Sequence, residues 1–550
     1  MSKTTKKSSA NKKEIVFEEA LWDAANKLRG SVESAEYKHI VLSLIFLKFI
    51  SDKFEAQREK LKAEGMGDYV DMVEFYTKDN VFYLPEEARW STIQKQAKQD
   101  DIAVKIDTAL HTVEKTNPSL KGALPDNYFS RLSLDVSKLA ALIDTINNIN
   151  TVANECDMSE EDLVGRVYEY FLGKFAANEG KGGGEFYTPK SVVTLISDML
   201  EPYKGKIYDP CCGSGGMFVQ SLKFIDSHKG NRKDISIYGQ EYTNTTYKLA
   251  KMNLAVRGIS ANLGDIAADT FFKDQHPDLK ADYIMANPPF NQKQWRADNE
   301  LTDDPRWAGF DVPPTGNANY AWIMHMISKL SEHGTAGFVL ANGSMSSNTS
   351  GEGAIRQKII ENDLVDCMIA LPGQLFYTTQ IPVCLWFISK NKREDKERGY
   401  RNRQGETLFI DAREMGSMIS RVHKELTTED IAKIANTYHA WRQDNQSIEQ
   451  ALAEQQNDAP TQELLKEHKQ LDSYEDIAGF CKSATLDEIK ANDYVLTPGR
   501  YVGAAAIEDD GVPFEAKMRE LSQALFSQME EAEQLDQAIR QNLAGLGYAK

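Results

Sequence analysis

The sequence predicts an α/β protein built on a doubly wound, largely parallel sheet. Three observations carry that prediction. From about residue 205, short apolar runs recur that end in a polar residue: KIYD ends at Asp209, ISIYGQE at Glu241, ANLGD at Asp265 and ADYIMAN at Asn287. Stretches with helical apolar spacing, such as SVVTLISDML and NTTYKLAKMNLAVRG, alternate with them. Polar residues at the carboxyl ends of successive strands mark the ligand edge of such a sheet.

The chain ahead of this region is different. Residues 1–13, MSKTTKKSSANKK, are basic and polar and predict a disordered tail; they contain no apolar core of a secretory signal. Residues 14–165 read as an N-terminal helical domain, with Leu21, Ala24, Ala25, Leu28 and then Ile40, Leu44, Leu47 and Ile50 at helical spacing. The run Val41–Ile50 is too short to span a bilayer and carries Lys48, so it predicts a buried helix. No membrane partner is expected.

Residues 166–480 form the α/β region. Its later elements are the helices ANYAWIMHMISKL and GAIRQKIIEN and the strands GTAGFVLAN, VDCMIAL, PVCLWFIS and TLFIDA. Two polar insertions interrupt it: residues 391–407 predict a solvated loop, and the Gln- and Glu-rich residues 442–470 a helical spacer. Residues 481–550 are a C-terminal segment. Within it Phe514, Met518, Leu521, Leu525, Met529, Ala532, Leu535, Ile539 and Leu543 lie three or four residues apart, the stripe of an amphipathic helix suited to a partner helix.

Bulk composition narrows the function. At 550 residues the chain needs more than one core, and 41% hydrophobic residues suffice to build them. A net charge of −18 opposes free-standing nucleic-acid binding by long-range attraction, though not a local basic groove or a basic partner. Six cysteines without a C-x-x-C pair give neither a disulfide framework nor a zinc signature, and the nine histidines show no metal-ligand spacing. No metal is expected, and a reducing cytoplasm is.

The segment DPCCGSGGMF places Asp209 at a strand end and Gly213, Ser214 and Gly215 in the turn that opens a helix. Glycines there let a ligand approach bare backbone. The pattern is neither G-x-G-x-x-G nor a P-loop, which disfavours dinucleotides and triphosphates. Glu241 at the next strand end suits both hydroxyls of a ribose, and Asp265 suits an adenine amino group. One ribose, one adenine and no phosphate clamp fit S-adenosylmethionine.

The run Asn287-Pro288-Pro289-Phe290 stops a buried strand, because neither proline donates a ladder hydrogen bond. An exocyclic amine on a base is a poor nucleophile, since its lone pair is delocalised into the ring. The Asn287 side-chain oxygen and the Pro288 carbonyl, aimed at its hydrogens, favour a pyramidal nitrogen. Pro289 helps fix the turn, and Phe290 can stack on a base flipped from the duplex. The proton leaves after the methyl group arrives, so no strong base is needed.

These residues resemble the amino-group DNA methyltransferases, whose motifs are D-P-x-x-G-[ST]-G and [DN]-P-P-[FYW]. The asparagine form implies N6 of adenine. Gly184, Glu185, Phe186, Tyr187, Thr188 and Pro189 resemble a further cofactor motif of that group. With SAEYKHIVLSLIFLKFISDKFE, PPTGNANYAWIMHMI and GFCKSATLDEIKANDYVLTPGRYVG, the resemblance extends over nearly the whole chain to the modification subunits of type I restriction–modification systems. It implies a Rossmann-like methyltransferase sheet between helical ends. It also implies methyl transfer from S-adenosylmethionine to duplex DNA, a separate specificity subunit shared by two modification subunits, and a restriction subunit in the full complex.

Rival readings are a methyltransferase acting on a glutamine amide or RNA, and a scaffold with a dead methyltransferase fold. Intact Asn287, Gly213 and Glu241 oppose the scaffold, and the helical flanks oppose the small amide enzymes. Pro210-Cys211 has the form of a cytosine-C5 nucleophile, but it lies inside the cofactor loop. Trp295 and Trp307 either border DNA or pack on their own domain; Met324 and Met326 predict core.

Overall fold

The computed structural model describes residues 22, 34–79, 81–132, 134–148, 188–228, 230–376, 380–454, 459–504 and 514–545. The chain divides into two compact units, Met1–Gly503 and Ala504–Lys550. The N-terminal tail and Gly184–Tyr187 lie outside the described residues.

The first unit is organised by one sheet. Its strands are β1 (Gly205–Asp209), β2 (Ile235–Gly239), β3 (Ala261–Asn262), β4 (Ala281–Ala286), β5 (Leu330–Ala341), β6 (Val365–Ala370), β7 (Val383–Ser389) and β8 (Glu406–Asp411). A small hairpin follows, β9 (Ser417–Met418) with β10 (Lys424–Glu425), and β11 (Cys481–Thr485) completes the set. Across the sheet the order is β11-β8-β6-β7-β5-β4-β1-β2-β3. The neighbours among β1 to β5 are parallel, as are β6 and β8. β7 runs antiparallel between β5 and β6, and β11 runs antiparallel along β8.

The sheet is largely parallel, as expected, with β7 and β11 antiparallel; among its described residues the link from β6 to β7 holds no helix, and the chain returns in the opposite direction. The boundary expected at 480 is not a break: residues 481–485 add an edge strand, and Leu496, Tyr501 and Val502 are buried against the sheet.

Both faces of the sheet are covered, which is why its strands read as continuous apolar runs. Ile207, Met285, Val339, Ile369, Leu385 and Ile410 face the helices Lys190–Leu200, Gly216–Ser227 and Thr428–Arg442. Their strand neighbours Tyr208, Ile284, Leu340, Met368, Trp386 and Phe409 face the other way, towards the helices Asn319–Lys329 and Glu352–Glu361. Met324 and Met326 lie fully buried on the first of these. The strand order reverses between β1 and β4, so the crevice outside their carboxyl ends is the natural ligand site.

Val41–Ile50 lies inside the helix Ser34–Ala63 and is buried throughout, as expected. The core around it includes Leu249, Met252 and Val256 of the helix Asn244–Val256, which seats the helical region against the sheet domain. Lys248 and Lys251 complete that seam by donating to the carbonyls of Leu124 and Lys121 at 2.9 and 3.0 Å. No helix among the described residues is long and apolar enough to cross a membrane.

The two polar insertions are more deeply built in than their composition suggests. Residues 391–407 supply Lys392 and Arg403, both buried. Lys392 pairs with Asp363 at 2.6 Å and donates to the Val365 carbonyl. Arg403 pairs with Asp366, a carboxylate in the middle of β6 that also accepts the Tyr438 hydroxyl at 2.6 Å. Residues 442–470 are helical over Asn445–Glu454 and Ala459–His468 but do more than space. Arg442 and His468 clasp buried Glu201, at 3.0 and 2.7 Å.

Glu201, His439 and His468 bring three ligand-type atoms within 4.8 Å of one another. The hydrogen bonds identify the cluster as an ion-pair network. Arg442, which only donates, gives a hydrogen to His439 Nδ1 at 2.8 Å, so His439 Nε2 carries the proton and donates to the Asp198 carbonyl at 2.9 Å. Burial pushes the His439 ring down to about 3, leaving it neutral.

Burial alone would raise the Glu201 carboxyl, but the bond from His468 and the charge of Arg442 outweigh it and hold it well below the usual carboxylate range. A depressed folded-state value contributes stability above the unfolded value of about 4.3 and loses it as pH falls through the folded one. Glu201→Gln, which strands Arg442, is expected to lose about 3 kcal/mol in urea unfolding at pH 7. That deficit should persist down to about pH 5 and narrow only below about pH 4.

Candidate active site

The turn after β1 is held by short polar contacts. Asp209 accepts the Cys211 N–H at 3.0 Å, and the backbones of Asp209 and Cys212 bond to Gln240 beyond the end of β2, at 3.0 and 2.9 Å. Burial is the main cause of a rise in the Asp209 carboxyl to about 7, with the Glu241 charge adding to it against the bonds from Cys211. Burial likewise pushes the Cys211 and Cys212 thiols well above their ordinary range, so neither is a thiolate nucleophile.

Gly213 and Gly215 have φ of +54° and +80°, conformations that glycine adopts without cost, and Gly215 caps the helix Gly216–Ser227. A side chain built on Gly213 or Gly216 would meet nothing within 4 Å, so the loop presents open backbone. The Ser214 carbonyl is fixed by Asn253 at 2.7 Å. Glu241 ties this turn to the next: its carboxylate accepts the Gly213 N–H at 3.1 Å and the Thr243 N–H at 2.8 Å.

Asp265 is placed differently from expectation. β3 stops at Asn262, and Gly264 at φ +78° turns the chain out of the sheet. Asp265 is therefore exposed three residues past the strand, with Ile266, 46% exposed, beside it. The loop that carries them folds back over Gln240, which was not singled out from sequence. This fully buried amide donates to the Ala268 and Lys273 carbonyls and accepts the Gln275 N–H. Only the position before Glu241, at the strand's end, hints at that role.

β4 pairs with β1 through Ile207–Tyr283 and Tyr208–Ile284, which sets Asn287 beside the Asp209 turn. Asn287 is 9% exposed. Its amide nitrogen donates to the Thr188 hydroxyl at 3.0 Å, while its buried side-chain oxygen has no partner. Thr188 thus meets Asn287, and Pro189 caps the helix Lys190–Leu200. An unpaired buried amide oxygen costs free energy unless a donor arrives, so this atom is poised to accept.

The turn itself is locked from behind. Asn291, at φ +51°, exchanges hydrogen bonds with Asn319, whose side chain accepts the Asn291 N–H at 3.1 Å and donates to the Asn291 oxygen at 2.9 Å. The backbone N–H of Ala318 reaches the Gln292 carbonyl at 3.0 Å. The segment PPTGNANYAW therefore braces the Asn-Pro-Pro-Phe turn. Phe290 meets Phe376 edge-to-face at 5.6 Å between centroids. Trp295 and Trp307 are buried, donate to the Pro314 and Leu301 carbonyls, and pack on their own domain.

Comparison with known proteins places this geometry in a family. Residues 159–510 match the family model N-6 DNA Methylase, and residues 17–146 match HsdM N-terminal domain. The Type I restriction enzyme HindI methylase subunit of Haemophilus influenzae is 48% identical over 482 residues, covering 84% of this chain and all of that protein. The MjaIX methylase subunit of Methanocaldococcus jannaschii is 39% identical over 552 residues, covering 97% and 92% of the two chains. Among solved structures, the type I restriction-modification methyltransferase subunit from Streptococcus thermophilus shares the fold with a TM-score of 0.67 at 22% identity, covering 89% of this chain and 99% of that one. A matched methylase domain behind a matched N-terminal domain, with relatives alike over almost their full length, shows that the chain belongs to the methylase (modification) subunits of type I restriction enzymes.

Proposed function

We propose that this subunit transfers a methyl group from S-adenosylmethionine to N6 of adenine in duplex DNA. The observation that carries the proposal is Asn287: its amide nitrogen is occupied by Thr188 while its oxygen is buried and unpartnered beside the Asp209 turn. That oxygen, with the Pro288 carbonyl, accepts the two hydrogens of an exocyclic amine and leaves the nitrogen lone pair exposed. Phe290 stacks on the flipped base.

The edge formed by β1, β2 and the loop after β3 fits the methyl donor. Open backbone at Gly213 and Gly216 leaves room for a close ligand. Glu241 is held by two backbone N–H groups beyond the end of β2, where a carboxylate suits the hydroxyls of a ribose. Asp265 takes the adenine amino group, with Ile266 as an apolar wall. Asp209, Ser214, Gly215 and the segment Gly184–Pro189 complete the cofactor site, with Thr188 shared between cofactor loop and catalytic asparagine. When bound, S-adenosylmethionine supplies an electrophilic methyl group on a sulfonium.

The family relationship supports a cytoplasmic complex in which a specificity subunit reads the DNA sequence for two modification subunits and a restriction subunit adds cleavage. The helix Phe514–Gly545 exposes Met518, Leu525, Met529, Leu535 and Ile539, a surface for a helix of the specificity subunit.

Asn287→Ala is expected to lower methyl transfer at least about a thousandfold, the scale of losing a preorganised polar contact to the reacting group. Its S-adenosylmethionine affinity by calorimetry should stay within about threefold, since Asn287 is assigned to the amine alone. A parallel fall in cofactor affinity would reverse that assignment.

Thr188→Val removes the acceptor for the Asn287 amide, and its kcat is expected to drop about tenfold with little change in KM. Thr188→Ser keeps the hydroxyl and should restore most of it. Cys211→Ser is expected to retain methyl transfer within about threefold, because the proposed reaction needs no thiolate.

A further inference from the structure

We infer that the hairpin tip Ser417–Val422 is a wedge that enters duplex DNA beside the target adenine and holds the space the flipped base leaves. The inference rests on the proposed reaction and extends it to how the base is brought out.

Topology places the hairpin at the reaction. β5 is parallel to β4; β7 is antiparallel to both β5 and β6, and β6 is parallel to β8. β4, β6 and β8 therefore end on one edge of the sheet. The Asn287 turn follows β4, a loop from Leu371 follows β6, and the hairpin follows β8. Contacts bind the three together: Phe376 of the middle loop meets Phe290, and the Lys424 N–H donates to the Gln374 carbonyl at 2.9 Å.

The hairpin has a fixed base and a bare tip. At its base, Gly416 N–H donates to Asp430 at 3.0 Å, within the capping box of the helix Thr428–Arg442, and Leu426 is buried in the core. β9 and β10 pair as Met418–Lys424 and Ser417–Glu425, and Ile419 N–H closes on the His423 carbonyl at 3.0 Å. Met418, Ile419 and Val422 are nevertheless 50%, 54% and 58% exposed. No other six-residue stretch among the described residues of the first unit exposes three large apolar side chains.

Charge and size select DNA over a protein as the occupant. In a chain of net charge −18, the tip Ser-Met-Ile-Ser-Arg-Val contains no acid and one arginine, with two hydroxyls able to reach phosphate oxygens. A stable protein interface needs about 800 Å² on each side, far more than a six-residue tip offers. Extruding a base breaks its stacking, and apolar side chains inserted at a base step are the recurring means of offsetting that loss.

The test uses the full chain purified with its specificity partner and a duplex holding the site that the wild-type complex methylates. The triple variant Met418→Ser, Ile419→Ser, Val422→Ser is compared with Val104→Ser, an exposed apolar residue on the helical domain. On paired duplex the triple variant is expected to methylate about tenfold more slowly, and on a duplex with the target adenine mispaired to recover to within about threefold, because flipping is then easier. Its cofactor affinity and co-purification with the partner should match wild type, as should all properties of Val104→Ser. An unchanged rate on paired duplex overturns the inference, as do an equal loss on both duplexes or a failure to co-purify, which would make the tip a protein contact. If the wild-type complex methylates no adenine in any duplex, the proposed reaction itself fails and the wedge falls with it.

Discussion

The parallel pairing of β1 with β4 is the constraint on which the candidate site depends. It joins two turns that are far apart in sequence, one ending in Asp209 and the other beginning at Asn287, at the point where the strand order reverses. Neither turn is complete alone. The Asp209 turn needs Gln240 and Glu241 to hold its backbone, and the Asn287 amide nitrogen is held by the Thr188 hydroxyl. In the proposed reaction, an Asn287 turned about would direct its NH₂ group, not its oxygen, at the incoming amine.

Much of this was legible in the sequence because it depends on local rules. Prolines after Asn287 stop a strand, glycines at 213 and 215 permit positive φ, and apolar runs flanked by polar residues mark strands and their ends. What local rules omit is direction and long-range partnership. An apolar run such as PVCLWFIS is the same whether its strand lies parallel or antiparallel, so β7 was not predicted to reverse. Asp265 was placed at a strand end because ANLGD reads as a short run ending in a polar residue, yet Gly264 turns the chain out two residues past Asn262.

The insertions were misjudged for a related reason. Lys392, Arg403 and Arg442 sit in charged or glutamine-rich stretches, where composition indicates solvent. Each is buried against a carboxylate far from its own stretch, the half-buried Asp363 or the buried Asp366 or Glu201. Glu201 and His468 are 267 residues apart, and no periodicity reports such a pair. These networks gain little net energy over an apolar core, but breaking one strands a buried charge. Their consequence is specificity of assembly: the late helices Thr428–Arg442 and Ala459–His468 find one seat against the end of the helix Lys190–Leu200, whose first turn begins next to Thr188.

The same view explains how an acidic chain can work on DNA. Average charge governs long-range approach, which at −18 is unfavourable, whereas catalysis needs only one base at one edge of the sheet. The carboxylates Asp209, Glu241 and Asp265 cluster around β1 to β3, the side proposed to take the methyl donor. The acceptor side, around β4, β6 and β8, presents amides, aromatic rings and the acid-free tip Ser417–Val422. Affinity for the rest of the duplex then has to come from a partner surface, consistent with family members that act as subunits of larger enzymes.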